Sequence, residues 1–417
     1  MSAPEAPTEA YTVLAVPADG IPDVVDTPEL LATARAALRA GAGPLAIDTE
    51  RAQGYRYSAK AYLIQLRRAG ASTHLIDPTA FEDGQARADF SEFAAELADA
   101  EWILHAASQD LPCLAEVRFL PDHLFDTELA ARLLGLSKVS LGALMEQALG
   151  LTLLKEHSAA DWSRRPIPAD WLAYAALDVE RLSELREWLI EGLTTAGKLE
   201  WAEQEFAHLA SHAADPPHVR TDPWRRTSGL HGLRSSAALA VVRELWQVRD
   251  ALARAEDRSP GRVLPDRAIT DLAARLEVDH KTSLTRADLR SVRGFSNRVA
   301  SRYEAQWLDA LERVAALPKS ELPPRTIAPD GPPMPRSWER RWPKSFARFS
   351  RVRPALIEIA GELELPVENL LSPDHLRRLL WDSPDATTAE EVDARLATLG
   401  TRPWQRELVV PVITALW

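Results

Sequence analysis

The spacing of apolar positions predicts one helix and then a group of strands near the start of the chain. Thr27 and Pro28 are typical of a helix N-terminus, apolar residues recur at helical spacing from Leu30 to Leu38, and Gly41 supplies a stop. Three short apolar runs follow, and a hairpin-like connection joins the last two. They predict strands over Leu45–Asp48, Ala61–Leu66 and Thr73–Ile76.

Beyond residue 80 the strand and helix patterns alternate. The pattern predicts a helix over Phe90–Leu97, a strand over Trp102–His105, a helix over Asp110–Val117 and a strand over Leu124–Phe125. From Asp126 to about residue 209 it is mostly helical. Strands that first pair as a meander and then alternate with helices indicate an α/β fold, in which a mixed sheet is covered by helices.

The second half of the chain has a helical pattern in two blocks. The first extends from Ser235 to about Leu317 and is interrupted at Ser259-Pro260-Gly261, and seven prolines then mark a semi-rigid linker before the second block. We therefore predict two all-α domains after the α/β domain. The predicted division is a flexible tail over 1–20, the α/β domain over 21–214, a helical domain over 222–317, the linker over 318–335 and a second helical domain over 336–417.

Length and composition fit a globular protein of two or three domains. The chain has 417 residues, and no window holds 18 unbroken apolar residues, so we expect no membrane span. The N-terminus lacks the basic start and apolar core of a signal peptide. Cys113 is the single cysteine and cannot form an internal disulfide, and these features together favour a cytoplasmic location.

The charge is distributed unevenly. The formal net charge is −12, but residues 1–214 hold 17 basic and 33 acidic residues, whereas residues 215–313 hold 18 and 14. An acidic first domain suits a catalytic unit that needs metal, and a basic second domain suits an accessory unit that attracts phosphates.

Five polar residues of the first domain lie where the fold can bring them together. Asp48 and Glu50 end a predicted strand and, by alternation, lie on the same face. Asp110 begins a helix after a buried strand, and Tyr174 and Asp178 are four residues apart on one helix face. Four close carboxylates repel one another, and Mg²⁺ or Mn²⁺, which prefer hard oxygen ligands, would remove that repulsion.

The tripeptide Asp-Thr-Glu occurs twice. The second copy, Asp126-Thr127-Glu128, opens a predicted helix rather than ending a strand. We therefore interpret Asp126 or Thr127 as a helix N-cap and Glu128 as a complement to the helix dipole.

The order and spacing of these residues resemble the DEDDy 3′→5′ exonucleases and, among them, the ribonuclease D family. The resemblance extends over roughly residues 20–210, a resemblance to the HRDC module follows, and the C-terminal segment resembles a diverged second copy of that module, with a weaker match. The exonuclease motifs are Asp48-Thr-Glu50, Tyr62-Leu-Ile-Gln65-Leu66, His105-Ala-Ala-x-x-Asp110, Asp161-Trp162-Ser-x-Arg165-Pro166 and Tyr174-Ala-Ala-x-Asp178. The HRDC-like motifs are Leu245-Trp246-Gln247-x-Arg249-Asp250, Arg262-Val-Leu264-Pro265-Asp266 and Leu289-x-x-Val-Arg-Gly294.

The resemblance implies a ribonuclease H-like exonuclease domain followed by two HRDC-like helical domains. Asp48, Glu50, Asp110 and Asp178 would bind two divalent metal ions, Mg²⁺ or Mn²⁺, and Tyr174 would position the attacking water. The enzyme would release 5′-mononucleotides one at a time from RNA 3′ ends, with tRNA 3′ trailers as the implied substrate class.

We also expect contacts with the RNA substrate outside the metal site. The candidates are Lys155, Arg165, Arg51, Tyr55, Gln65 and His105. Two alternatives remain open at this point. One is a 3′→5′ DNA exonuclease, and the other is an RNA-binding scaffold without chemistry, although the full set of acids argues against the scaffold.

Overall fold

The computed structural model confirms an α/β domain followed by two helical regions. It describes residues 11–84, 86–154, 157, 159–216, 220–279, 281–327, 331–381, 383 and 387–417.

Six strands form one mixed sheet in the order β2–β5–β4–β3–β6–β7. Strand β4 is antiparallel to both of its neighbours, and the other pairs are parallel. Strands β1 and β8 form a separate parallel pair. The strands are β1 Thr12–Leu14, β2 Val24–Val25, β3 Ala42–Arg51, β4 Ala61–Ala69, β5 Ser72–Ile76, β6 Glu101–Leu104, β7 His123–Asp126 and β8 Leu151–Leu153.

Helices cover both faces of this sheet. The first begins and ends as predicted, because the Thr27 hydroxyl accepts a hydrogen bond from the Leu30 amide and Gly41 follows the last turn. The helices of the α/β domain are α1 Pro28–Ala40, α2 Ser91–Ala95, α3 Leu111–Glu116, α4 Thr127–Leu133, α5 Leu141–Leu149, α6 Ala169–Glu180, α7 Leu182–Thr195 and α8 Leu199–Ser211.

Three short strands differ from the predicted pattern. Strand β1 lies within the segment that we expected to be a flexible tail, so that expectation does not hold for Thr12–Leu14. Strand β8 lies within a region predicted to be mostly helical. These strands and β2 have two or three residues each, too few for alternation to produce a signal in the sequence.

The second region is a helical domain with its own core. Buried Leu245, Leu272 and Trp307 lie in that core. Its helices are α9 Ser236–Ala255, α10 Pro260–Val263, α11 Asp266–Val278, α12 Arg286–Ser291 and α13 Glu304–Ala316.

The third region shares one hydrophobic core with the α/β domain. Trp404 stacks on Trp201 of α8, with ring centroids 4.8 Å apart. The Lys198 ammonium donates to the carbonyls of Leu133 and Leu363, at 2.8 and 2.6 Å, and so ties the two domains together. The helices of this region are α14 Trp338–Arg341, α15 Pro343–Glu362, α16 Val367–Leu370, α17 Pro373–Leu380, α18 Ala389–Thr398 and α19 Pro403–Ala415.

Among the described residues, every helix is too short or too polar to cross a lipid bilayer.

We predict that Gly135→Ala loosens the third domain. Gly135 has φ +73°, and a Cβ there would overlap the Glu364 carbonyl oxygen of the third domain. Gly197 is the matched control, because its φ is +66° and it has open space around it. Gly197→Ala should cost about 1 kcal/mol of unfolding free energy, from backbone strain. Gly135→Ala should cost about 3 kcal/mol, because overpacking adds to the strain.

Urea unfolding followed by tryptophan fluorescence measures both variants. Equal losses in unfolding free energy would show that Glu364 does not restrict Gly135.

Candidate active site

Three carboxylates meet where β3 faces α6. Asp48 and Glu50 lie on β3 with one residue between them, so both side chains point to the same face. Asp178 comes from the facing helix α6. Each residue offers an oxygen atom, and these atoms all lie within 4.8 Å of one another. The geometry is that of a site for a small cation.

Asp110 is held beside this cluster by a residue that sequence reasoning missed. The Thr49 hydroxyl donates to the Asp110 carboxylate at 2.5 Å, and both side chains are buried. Asp126 shapes the preceding turn by accepting hydrogen bonds from the amides of Ala106 and Ala107, at 3.0 and 2.9 Å. Asp126 also caps α4, as predicted.

Tyr174 lies one turn before Asp178 on α6. Its phenol lies close enough to the Asp178 carboxylate that each group shifts the pKa of the other. The Tyr174 ring packs near Trp162, with centroids 6.4 Å apart. The phenol thus lies at the edge of the carboxylate cluster, and its ring is held by an aromatic neighbour.

Burial and mutual repulsion dominate the electrostatics of the site. Burial raises the pKa of Asp178 to about 7 and the pKa of Asp110 to about 6. The pKa values of Asp48 and Glu50 also rise well above their ordinary range, through burial and the neighbouring carboxylates. The same causes raise the pKa of Tyr174, so its phenol keeps its proton. These acids resist ionisation without a compensating positive charge.

The residues fit a divalent cation. Three carboxylates supply the hard oxygen ligands that Mg²⁺ and Mn²⁺ prefer. Gln65 lies directly opposite Asp48 in the β3–β4 pair, is fully buried, and has no hydrogen-bond partner for either amide atom among the described residues. An unsatisfied amide beside a ligand carboxylate is available to orient that ligand.

The acids open into a cleft of about 350 Å³. Its walls combine polar groups with the apolar side chains of Leu141, Leu153 and Leu154. Sequence reasoning missed these leucines. Leu153 lies on β8 and Leu154 directly follows it, and this strand was not predicted, whereas Leu141 begins helix α5. A cleft with carboxylates at its floor and apolar side chains on its walls can hold a flat nucleobase against the walls and a charged phosphate near the floor.

Two predicted substrate contacts lie at different depths. His105 lines the cleft and its Nδ1 is 2.9 Å from the Thr127 hydroxyl. Burial lowers the pKa of His105 to about 4, so the ring is neutral at physiological pH. Gln65 is closed off from solvent behind Asp48, and its contact with substrate stays a prediction.

The predicted cationic and aromatic contacts are mostly engaged with protein groups. Arg51 lines the cleft and donates to the Gln109 carbonyl at 2.7 Å. Arg165 is paired with Asp77 and also donates to the Tyr62 carbonyl at 2.8 Å. Their contact with RNA stays a prediction.

The roles of two further candidates, Tyr55 and Lys155, in RNA binding stay predictions. Tyr55 contacts Arg262 of the second domain, with the guanidinium 4.1 Å from the ring centroid. Lys155 lies outside the described residues.

Comparisons with known proteins agree with this geometry. A family model described as 3′-5′ exonuclease matches residues 22–193, and an HRDC domain model matches residues 238–311. A third model, described as a 3′ to 5′ exonuclease C-terminal domain, matches residues 331–416. The second HRDC-like identity that we predicted for the last domain therefore stays a prediction.

Related proteins match over most of the chain. The ribonuclease D of Zymomonas mobilis is 31% identical over 67% of this chain and 70% of its own length. A crystal structure of a protein from Bifidobacterium adolescentis has a TM-score of 0.87 and 38% identity, covering 97% of this chain and 99% of that one. Escherichia coli RNase D shares the fold, with a TM-score of 0.65 and 24% identity over 95% of this chain and 98% of that one.

The mixed sheet and its acidic cluster define a 3′→5′ exonuclease domain that carries an HRDC region. The chain belongs to the ribonuclease D family and is a 3′→5′ exoribonuclease.

We predict that pH and metal control the stability of this site together. The raised pKa values mean that the folded acids bind protons more tightly than the unfolded ones. Their contribution to stability is fully present below about pH 4 and is lost as the pH rises through about 6 to 7. Mg²⁺ should restore it at the upper end of this range, because a bound cation replaces the proton.

The measurement is the melting temperature across this pH range with EDTA or with Mg²⁺. As the pH rises in EDTA, Asp178→Asn should lose less stability than the wild type, by about 1 kcal/mol or more, because the asparagine side chain cannot ionise. The same pH dependence in both proteins would contradict this assignment.

We further predict that Thr49→Val impairs hydrolysis while Thr49→Ser does not. Valine has nearly the shape of threonine but cannot donate to Asp110, whereas serine can. Losing a group that orients a metal ligand costs about 10–100-fold in metal affinity or activity. Hydrolysis rates over a Mn²⁺ titration measure this, and equal curves for the two variants would remove Thr49 from the site.

Proposed function

We propose that the enzyme removes 5′-mononucleotides one at a time from the 3′ end of RNA, with two divalent metal ions bound by Asp48, Glu50, Asp110 and Asp178. The observation that supports this most is the cluster of Asp48, Glu50 and Asp178 oxygens within 4.8 Å, with Asp110 held beside it.

The position of each of the four carboxylates determines which metal ion it would bind. Asp48, Glu50 and Asp178 form one compact ligand set. Asp110 is near enough to Asp48 to raise its pKa, so Asp48 would be shared between two ions. When bound, Mg²⁺ or Mn²⁺ supplies the positive charge that stabilises the attacking and leaving oxygens of an in-line displacement.

Tyr174 orients the attacking water. Its pKa is raised, so the phenol keeps its proton and acts by hydrogen bonding rather than as a free base. Its position one turn before Asp178, with the ring packed near Trp162, places the hydroxyl beside the carboxylates. A fixed donor near the nucleophile keeps the water in line with the scissile bond.

We infer that structured RNA precursors with 3′ extensions, such as tRNA 3′ trailers, are the substrates. The basic balance of residues 215–313 supports an accessory domain that attracts phosphates. A crystal structure with the same fold is that of an E. coli enzyme described as involved in structured RNA processing.

The test is digestion of a 5′-labelled tRNA precursor with a 3′ trailer. We expect a ladder that shortens from the 3′ end with Mg²⁺ or Mn²⁺ and vanishes with EDTA or in Asp178→Ala. A single-stranded DNA of the same sequence is the matched substrate. Faster loss of the DNA would favour a DNA exonuclease, and retained binding without shortening would favour a scaffold.

Tyr174→Phe should slow hydrolysis by about 10²–10⁴-fold, because it removes the positioned hydroxyl and leaves the ring. Its RNA affinity should stay close to that of the wild type, because the ring packing is kept. Single-turnover rates and filter binding measure the two quantities. A wild-type rate would exclude the phenol from the chemistry.

A further inference from the structure

The loop that joins β3 to β4 is a docking site for the HRDC domain. It begins directly after Arg51. Arg262 donates to the Gly54 carbonyl at 2.6 Å, and its guanidinium lies over the Tyr55 ring. The Ser259 amide donates to the Tyr55 carbonyl at 3.0 Å. The break in the helical pattern at residues 259–261 is therefore a contact point between domains.

A second set of contacts surrounds Asp257. Its carboxylate accepts hydrogen bonds from the Ser58 amide at 2.9 Å and from the Tyr62 hydroxyl at 3.2 Å. Nearby, the Tyr57 hydroxyl donates to Asp250 at 3.0 Å. We call these contacts together the loop latch. Its members are Gly54, Tyr55, Tyr57, Ser58 and Tyr62 on one side and Asp250, Asp257, Ser259 and Arg262 on the other.

Asp257 adopts a backbone conformation that aims its side chain across the boundary. Its φ is +44°, in the left-handed region that residues with a side chain rarely adopt. Such a conformation persists only where surrounding contacts hold it. The hydrogen bonds to Ser58 and Tyr62 are contacts of this kind.

The loop latch joins the HRDC domain to the loop that leads out of the catalytic cleft. Arg51 lines the cleft, and the latch begins only three residues later at Gly54. The contacts that hold the latch are mostly polar, and polar boundaries of this kind allow domains to move unless specific bonds restrain them. The latch supplies such bonds.

We propose that the loop latch determines substrate preference by length. It holds the HRDC domain beside the cleft, so an RNA long enough to reach both is bound at two linked sites. A short RNA fragment that fills only the cleft does not reach the HRDC domain, so the latch does not increase its affinity. Two linked sites at a fixed separation bind more tightly than either alone, and the gain is lost when the geometry loosens. The inference rests on the proposed exoribonuclease function.

Three variants of the full-length protein test it. Asp257→Gly removes the carboxylate but keeps the left-handed backbone accessible. Asp257→Asn keeps an acceptor oxygen and tolerates the same backbone. Asp271→Asn is the control, because its partner is Arg267 within the HRDC domain and the pair is exposed.

The substrates are a diribonucleotide and a tRNA precursor with a 3′ trailer. Asp257→Gly should raise KM for the precursor about tenfold, because the second site is no longer fixed. Its kcat and KM for the diribonucleotide should not change. Asp257→Asn and Asp271→Asn should behave like the wild type on both substrates.

Hydrogen exchange reports on the latch without catalysis. The Ser259 amide bonds across the boundary, so it should lose protection in Asp257→Gly and keep it in Asp257→Asn. The proposal is overturned if the Ser259 amide keeps its protection in Asp257→Gly. It is also overturned if that protection is lost but the ratio of KM for the precursor to KM for the diribonucleotide stays at the wild-type value. If the wild type hydrolyses neither RNA, the proposed function fails. In that case, fluorescence anisotropy measures the Kd for the tRNA precursor. Equal Kd values for Asp257→Gly and the wild type would overturn the proposal on the loop latch.

Discussion

Repulsion among closely spaced carboxylates, one buried and two half-buried, is the constraint on which the site depends. Asp48, Glu50 and Asp178 would separate if their backbones were free, because like charges in a poorly solvated place raise one another's free energy. A central strand and a long helix prevent this, since each is fixed by its own hydrogen bonds and by the core behind it. The Thr49 side chain, on the other face of the sheet, keeps Asp110 in place by a hydrogen bond. The stored repulsion gives the site its affinity for a doubly charged ion.

The two helical domains are attached to the exonuclease domain by different physical means. The third domain merges its core with that of the α/β domain, and a buried lysine satisfies carbonyls on both sides. The HRDC domain keeps its own core, against which Tyr57 of the exonuclease domain packs, and its other contacts with that domain are polar or cation–π. Apolar cores do not separate without exposing surface to water, whereas polar contacts can exchange with water at little cost. The third domain is thus fixed to the exonuclease domain by a shared core, whereas the HRDC domain depends on the specific bonds of the loop latch.

Much of the fold was predictable from the sequence, because the signals are local. The cap at Thr27, the strand before Asp48 and the i, i+4 pair on α6 all have short-range causes. The second Asp-Thr-Glu was correctly interpreted as a cap, because an apolar helix pattern follows it. Strand β8 could not be predicted, because three residues do not establish a period and its pairing partner is distant in sequence.

The side-chain partners were harder to predict than the elements. The hydrogen bond from Thr49 joins residues 61 positions apart and leaves no trace in the local pattern. Tyr55 shows a different difficulty. Arginines interleaved with tyrosines have the same composition whether the aromatic ring stacks on a base or on a guanidinium of the same chain. The sequence identifies the chemistry of such a surface but not its partner.

The shared core of the first and third domains also dictates an order of events during synthesis. Trp201 leaves the ribosome about 200 residues before Trp404, the ring that stacks on it. Until then, the part of α8 that meets Trp404 stays uncovered, although Phe206 of the same helix already packs against Phe125 of β7. The nascent exonuclease domain therefore passes through a stage in which it is complete in sequence but exposes apolar surface, and in that stage it is prone to aggregate until the third domain covers this surface.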